Sequence, residues 1–187
     1  MAPLVSFIVG HNKMIKIIIG ILIASSIFFG CQTKTPYSGD GKLIDHGTVD
    51  SNHRYVLDLG LVNLGQEQQY IYSIRNLPEK TFVFGLEIKL YPPNKQFFDQ
   101  KPIDCILKFT IEDENGVIKI SENGNIRDWV WSGPVTGESV FIYRRGVPGT
   151  YFTPEIQKAY KIKLDITKAS KGTTYPIKLI GTTAGWK

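Results

Sequence analysis

The chain has 187 residues, 42% hydrophobic and 21% charged, with a formal net charge of +5. That is the composition of one ordinary globular domain, and it excludes a disordered chain or one wholly embedded in a membrane. The first 30 residues hold only two charges, Lys13 and Lys16, and without them the balance is +3. Lys89, Lys108, Lys119, Lys161 and Lys163 alternate with apolar residues or sit near Glu87, Glu112 and Asp165, so no basic stripe for nucleic acid is present.

Ile17 to Phe29 is an uncharged apolar run, preceded by Lys16 and followed by Gly30, Cys31 and a polar stretch. A membrane-spanning helix needs about 20 apolar residues, so this shorter run fits the hydrophobic region of a cleaved signal peptide. Residues 1–30 are therefore expected to be a signal peptide. The compact order Met14, Ile15, Lys16 also marks Met14 as a candidate start. Ile27-Phe28-Phe29-Gly30-Cys31 resembles the lipobox of bacterial lipoproteins, in which a small residue precedes a cysteine whose thiol receives diacylglycerol before cleavage. Here Phe28 and Phe29 stand where that family more often has Leu and a small residue. The resemblance implies lipidation at Cys31 and an envelope protein held to a membrane by its amino-terminal lipid. Gln32 replaces the Asp that favours inner-membrane retention in enterobacterial members, which implies an outer-membrane location facing the periplasm. Pro36, Ser38, Gly39, Asp40 and Gly41 disfavour regular structure, so residues 31–41 read as the lipidated cysteine and a flexible tether.

From Lys42 to Lys187 the dominant period is two, the mark of half-buried strands. Strands are expected at Tyr55 to Val62 and Tyr70 to Arg75. Phe82, Phe84, Leu86, Ile88 and Leu90 then alternate with Val83, Gly85, Glu87 and Lys89, one face apolar and the other mostly polar. Cys105, Leu107, Phe109 and Ile111 repeat the pattern, as do Tyr160, Ile162, Leu164 and Ile166. Weaker strands are expected at Val117 to Ser121, Ile126 to Trp131, Val140 to Tyr143 and Tyr175 to Ile180. Asn115-Gly116 and Asn123-Gly124 supply the positive φ values of tight turns, and a hairpin is expected around the first pair. Roughly nine strands with little helix make residues 42–187 an all-β domain, an antiparallel two-sheet β-sandwich. Ile111-Glu112-Asp113-Glu114-Asn115-Gly116 and Ala159-Tyr160-Lys161-Ile162 resemble the pre-peptidase C-terminal type of β-sandwich, which implies the same fold and carries no functional residues across.

The candidate sites are few. Cys105 lies on the apolar side of its strand and is expected to be a buried, reduced thiol rather than a nucleophile. His46, His53, Asp45 and Asp50 match no metal-ligand spacing, and Glu112-Asp113-Glu114 lacks the twelve-residue ligand pattern of a helical calcium loop. No metal and no cofactor are therefore expected. In Arg127-Asp128-Trp129-Val130-Trp131, strand alternation puts Arg127, Trp129 and Trp131 on one face, where they form either a ligand platform or, as the stronger expectation, a core cover. Tyr143, Arg144, Arg145 and Tyr151 join a binding surface only if their loops converge. The expected function is a non-enzymatic binding or interaction module on the envelope membrane, of inhibitor or immunity type, meeting an envelope protein or glycan. The alternative is an envelope hydrolase acting on cell-wall glycan or ester, with Asp128 and Glu138 as its carboxylates.

Overall fold

A computed structural model describes residues 36–49, 52–89, 103–132, 139–145, 149–172 and 175–183, except the side chains at 49, 52, 131 and 132. Alternating side chains settle into twelve strands among these residues: β1 (Ser38–Gly39), β2 (Lys42–Val49), β3 (Asn52–Leu61), β4 (Gln69–Arg75), β5 (Phe82–Lys89), β6 (Ile106–Asp113), β7 (Ile118–Asn125), β8 (Val130–Ser132), β9 (Ser139–Tyr143), β10 (Tyr151–Phe152), β11 (Ala159–Lys168) and β12 (Ile177–Thr183). Every pairing is antiparallel. One sheet has five strands in the order β1-β4-β11-β6-β7. The other has seven, β2-β3-β12-β5-β9-β8, with β10 also on the edge of β5. The protein is thus the antiparallel two-sheet sandwich that the periodicity predicts. All nine expected strands are present, and β1, β2 and β10 are additional.

The core forms where the apolar faces of the two sheets meet. Leu107, Phe109 and Ile111 of β6 and Ile162 and Leu164 of β11 are buried against Phe84, Leu86 and Ile88 of β5 and Leu57 of β3. Burying one such side chain is worth about 1.5–3 kcal/mol. Rings bridge the layers: Phe84 lies 5.6 Å from Phe109, and Phe152 meets Tyr160 edge-on at 4.8 Å. Gly181 of β12 makes room for the Phe84 ring, since a Cβ there would sit 2.6 Å from it.

The domain begins earlier than the composition implies. Ser38 and Gly39 pair with Arg75 and Ile74, and the chain then crosses to the other sheet, where Lys42 pairs with Asp58. Asp40 pins this corner, its amide donating to the Ser73 carbonyl at 2.8 Å and its carboxylate accepting from the Ser73 amide at 2.7 Å. Gly39 and Gly41 have φ of 127° and 80°, and a Cβ on either would strike the backbone of Ser73 or Asp58. The small and polar residues expected to make residues 36–41 a flexible tether are instead what allows one strand to change sheets.

Three local expectations also change. Ile126–Asp128 is a 3₁₀ turn capped by the Asn125 side chain, so the strand expected over Ile126 to Trp131 shortens to β8. Asn123-Gly124 makes no turn but continues β7, opposite Lys108 and Leu107. The second face of β5 is not solvated at Val83 and Gly85, because Phe141 of β9 packs there with Val83 and Ile180.

Candidate binding surface

The chain returns between β9 and β10 so that Tyr143 and Tyr151 meet on the outer face of the seven-stranded sheet. Tyr143 faces Gly85 across β5, and Tyr151 faces Val83 two residues along the same strand. Their rings meet edge-on, 6.1 Å apart at 83°. Phe141, two residues before Tyr143 and on the same side, stacks beneath it at 5.5 Å. Gly85 creates the space, since a Cβ there would lie 2.8 Å from Phe141 ring atoms and 2.3 Å from the Ile142 carbonyl oxygen. Phe141 is buried, Tyr143 half-buried and Tyr151 38% exposed, so the stack rises from the core to the surface. Burial, then a hydrogen bond to Tyr143, push the Tyr151 hydroxyl above its ordinary pKa, while Arg145 pulls the other way. The exposed Arg145 thus lies within electrostatic reach of the Tyr151 hydroxyl.

Arg144 does a different job. Its Nη1 donates to the Asp128 carbonyl at 3.2 Å, and its Nε lies 3.8 Å from Glu122 Oε2. The Arg144 carbonyl accepts from the Thr150 amide at 3.1 Å and from the Thr150 hydroxyl at 3.3 Å. Glu122, on β7 of the opposite sheet, also accepts from the Gly149 amide at 2.7 Å. These bonds tie both ends of the β9–β10 connection to each other and to the other sheet, which holds Tyr143 and Tyr151 in place. The loops thus do converge at Tyr143 and Tyr151, with Arg144 fixing them and Arg145 within electrostatic reach.

The other candidates fall elsewhere. Trp129 caps the 3₁₀ turn and is 4% exposed, within the main core. Arg127 stands exposed on that turn, so strand alternation does not link it to Trp129. Trp131 is in β8, opposite Ile142, with its side chain outside the description. Cys105 is buried and free, and burial, with nearby Asp104, pushes its thiol up to about 11. Asp45 and His53 pair at 2.6 Å across β2 and β3. The Gly47 amide, with His53 adding to it, holds the Asp45 carboxyl below the usual range. His46 is exposed and Asp50 lies outside the described residues. Among the described residues no three His, Cys, Asp or Glu side chains gather as a metal site. In the β6–β7 turn, Asp113 Oδ1 accepts from the Asn115 and Val117 amides, each at 2.9 Å. Glu114 pairs with Lys158 at 2.9 Å. Asp128 is exposed, whereas Cys31 and Glu138 lie outside the described residues.

Sequence reasoning missed Phe141 and Glu122. Phe141 carried a signal in its spacing from Tyr143, while nothing local marks Glu122, whose partners lie more than twenty residues away. No family model and no curated protein matches the chain. Among solved structures, 83% of the chain is similar to the enzymatically active domain of tailspike protein 4 of bacteriophage CBA120, at 14% identity and a TM-score of 0.28. The chain spans 19% of that protein's length.

Proposed function

We propose that this chain is a lipid-anchored envelope protein whose sandwich is a binding module, with Tyr143, Tyr151 and Arg145 as the contact surface. The observation that carries the binding role is the buried-to-exposed aromatic stack ending at Tyr151, within electrostatic reach of the exposed Arg145 and held by Arg144 and Glu122. Tyr and Arg are enriched among the few residues that dominate protein interfaces, and a rigid aromatic gives large contact area at small entropic cost. A protein partner in the envelope, of the kind an inhibitor or immunity lipoprotein neutralises, suits this surface better than a small substrate. The anchoring role is supported by the order of lysine, apolar run, Gly30, Cys31 and polar residues.

Two variants test the two halves. Cys31→Ser abolishes labelling with radioactive palmitate in growing cells and leaves the precursor unprocessed. An exported, freely soluble wild-type protein without label overturns the anchor. Cross-linking in intact envelopes captures a stoichiometric protein partner with the wild type, and Tyr151→Ala with Arg145→Ala loses it while unfolding at the wild-type temperature. Turnover of cell-wall glycan or an ester by the purified protein would favour the hydrolase reading instead.

A further inference from the structure

An open trough of about 510 Å³ lies on the five-stranded sheet, where β1 and the β6–β7 turn flank the adjoining ends of β4 and β11. It stays open because the strand residues Ser73 and Ala159 are too short to fill it. Three carboxylates and two cations line it. The carboxylates are all committed: Glu112 pairs with Lys163 at 2.6 Å, Asp113 with Lys119 at 3.2 Å and Glu114 with Lys158 at 2.9 Å. The cations, Arg75 and Lys161, form no ion pair with a described residue, although Arg75 is the second cation, after Lys158, whose charge lowers the Glu114 carboxyl, and Lys161 stands opposite Glu112 in the strand register. Counted with Lys163, Lys119 and Lys158, which neutralise the three carboxylates, the trough is net positive through Arg75 and Lys161, and it combines a planar guanidinium with an ammonium on a flexible stem, a pair suited to phosphate oxygens.

Which phosphate comes within reach follows from the chain. Six residues, 32 to 37, separate Cys31 from the β1 strand that walls the trough. Even fully extended, that link reaches no more than roughly 25 Å. The domain has no long tether, and with Cys31 acylated the densest array of phosphates close to Arg75 and Lys161 is the headgroup layer itself. We propose that Arg75 and Lys161 bind the phosphate of an anionic phospholipid headgroup, docking the β1 corner of the sandwich on the membrane that carries its lipid. The inference rests on the lipid-anchored reading of Cys31.

The test uses the processed, lipidated protein reconstituted into vesicles of phosphatidylglycerol or of phosphatidylcholine. After flotation, a water-soluble acetylating reagent is pulsed and the rate at each lysine is read by mass spectrometry. A headgroup contact by one cation near an anionic surface corresponds to about a fivefold difference. Lys161 is therefore expected to react about fivefold more slowly on phosphatidylglycerol than on phosphatidylcholine. Exposed Lys108, four residues along β6 from Glu112, is expected to react alike on both. Arg75→Gln weakens the protection of Lys161. Flotation with equal Lys161 rates on the two lipids overturns the docking and leaves the anchor standing. Failure to float on either lipid sinks the anchor, and the docking falls with it. Protection on phosphatidylcholine by added inorganic phosphate makes the trough a site for the free anion and overturns the membrane assignment.

Discussion

Truncating Glu122 to alanine isolates the clip that fixes the aromatic surface. Its carboxylate sits on β7 with a side chain only 13% exposed, accepting the Gly149 amide at 2.7 Å and facing Arg144 Nε at 3.8 Å. Gly149 is buried, so its amide loses its partner where water is scarce, at a cost of about 1–3 kcal/mol. The Arg144 side chain is 40% exposed, and the long ion pair adds at most about 1 kcal/mol after screening. Glu122→Ala is therefore expected to cost about 1–4 kcal/mol, which for a domain of this size lowers Tm by roughly 2–16 °C. Glu122→Gln keeps an acceptor oxygen and is expected to lose less than half as much. Hydrogen exchange locates the damage: the Gly149 and Thr150 amides speed up beyond the global loss of stability, while amides of β11 follow the global change alone. A Glu122→Ala protein that melts within 1 °C of wild type, with unchanged exchange at Gly149, refutes the clip (~1 °C being under the smallest expected shift).

Trp129→Ala is expected to cost about 3–5 kcal/mol because a 4% exposed indole leaves a cavity in the main core; thermal unfolding near the wild-type temperature contradicts its place there. Cys105, buried and with its thiol pKa raised to about 11, is expected to resist maleimide at neutral pH until denaturant unfolds the protein, and native-state labelling within minutes argues against that burial. Asp45, Asp104, Asp113 and Glu114 are all held below their ordinary pKa, chiefly by the Gly47 amide, the Asn125 side chain, the Val117 amide and Lys158 respectively. Their stabilisation is fully present above the unfolded carboxylate pKa of about 4 and is lost as pH falls through the lower folded values. Melting temperature should therefore fall steadily in acid below about pH 4, with a smaller fall in Asp113→Asn; a flat profile contradicts the assignment.

The strands that alternate cleanly were legible because alternation reports which side chains share a face, a property of the local chain. Phe82 to Ile88, Leu107 to Ile111 and Tyr160 to Ile166 each display the buried face the pattern predicts, and Asn115-Gly116 makes its hairpin. Those elements, the two-sheet class and the core position of Cys105 were within the reach of sequence alone. Contacts between distant segments decided the rest. Val83 and Gly85 read as the wetter side of β5, yet Phe141 covers them, because β9 arrives beside β5 from more than fifty residues away. Ile126 to Asp128 has strand-like composition but turns once Asn125 caps it, and that turn leaves Trp129 in the core rather than beside Arg127 on a strand. Ser38 to Gly41 looks like a linker in composition, and becomes a corner only when β4 offers an edge and Asp40 finds Ser73. The Tyr143–Tyr151 pair is likewise a product of pairing: the registers of β9 and β10 against β5 bring these two residues together, and register is a long-range choice that no single segment encodes.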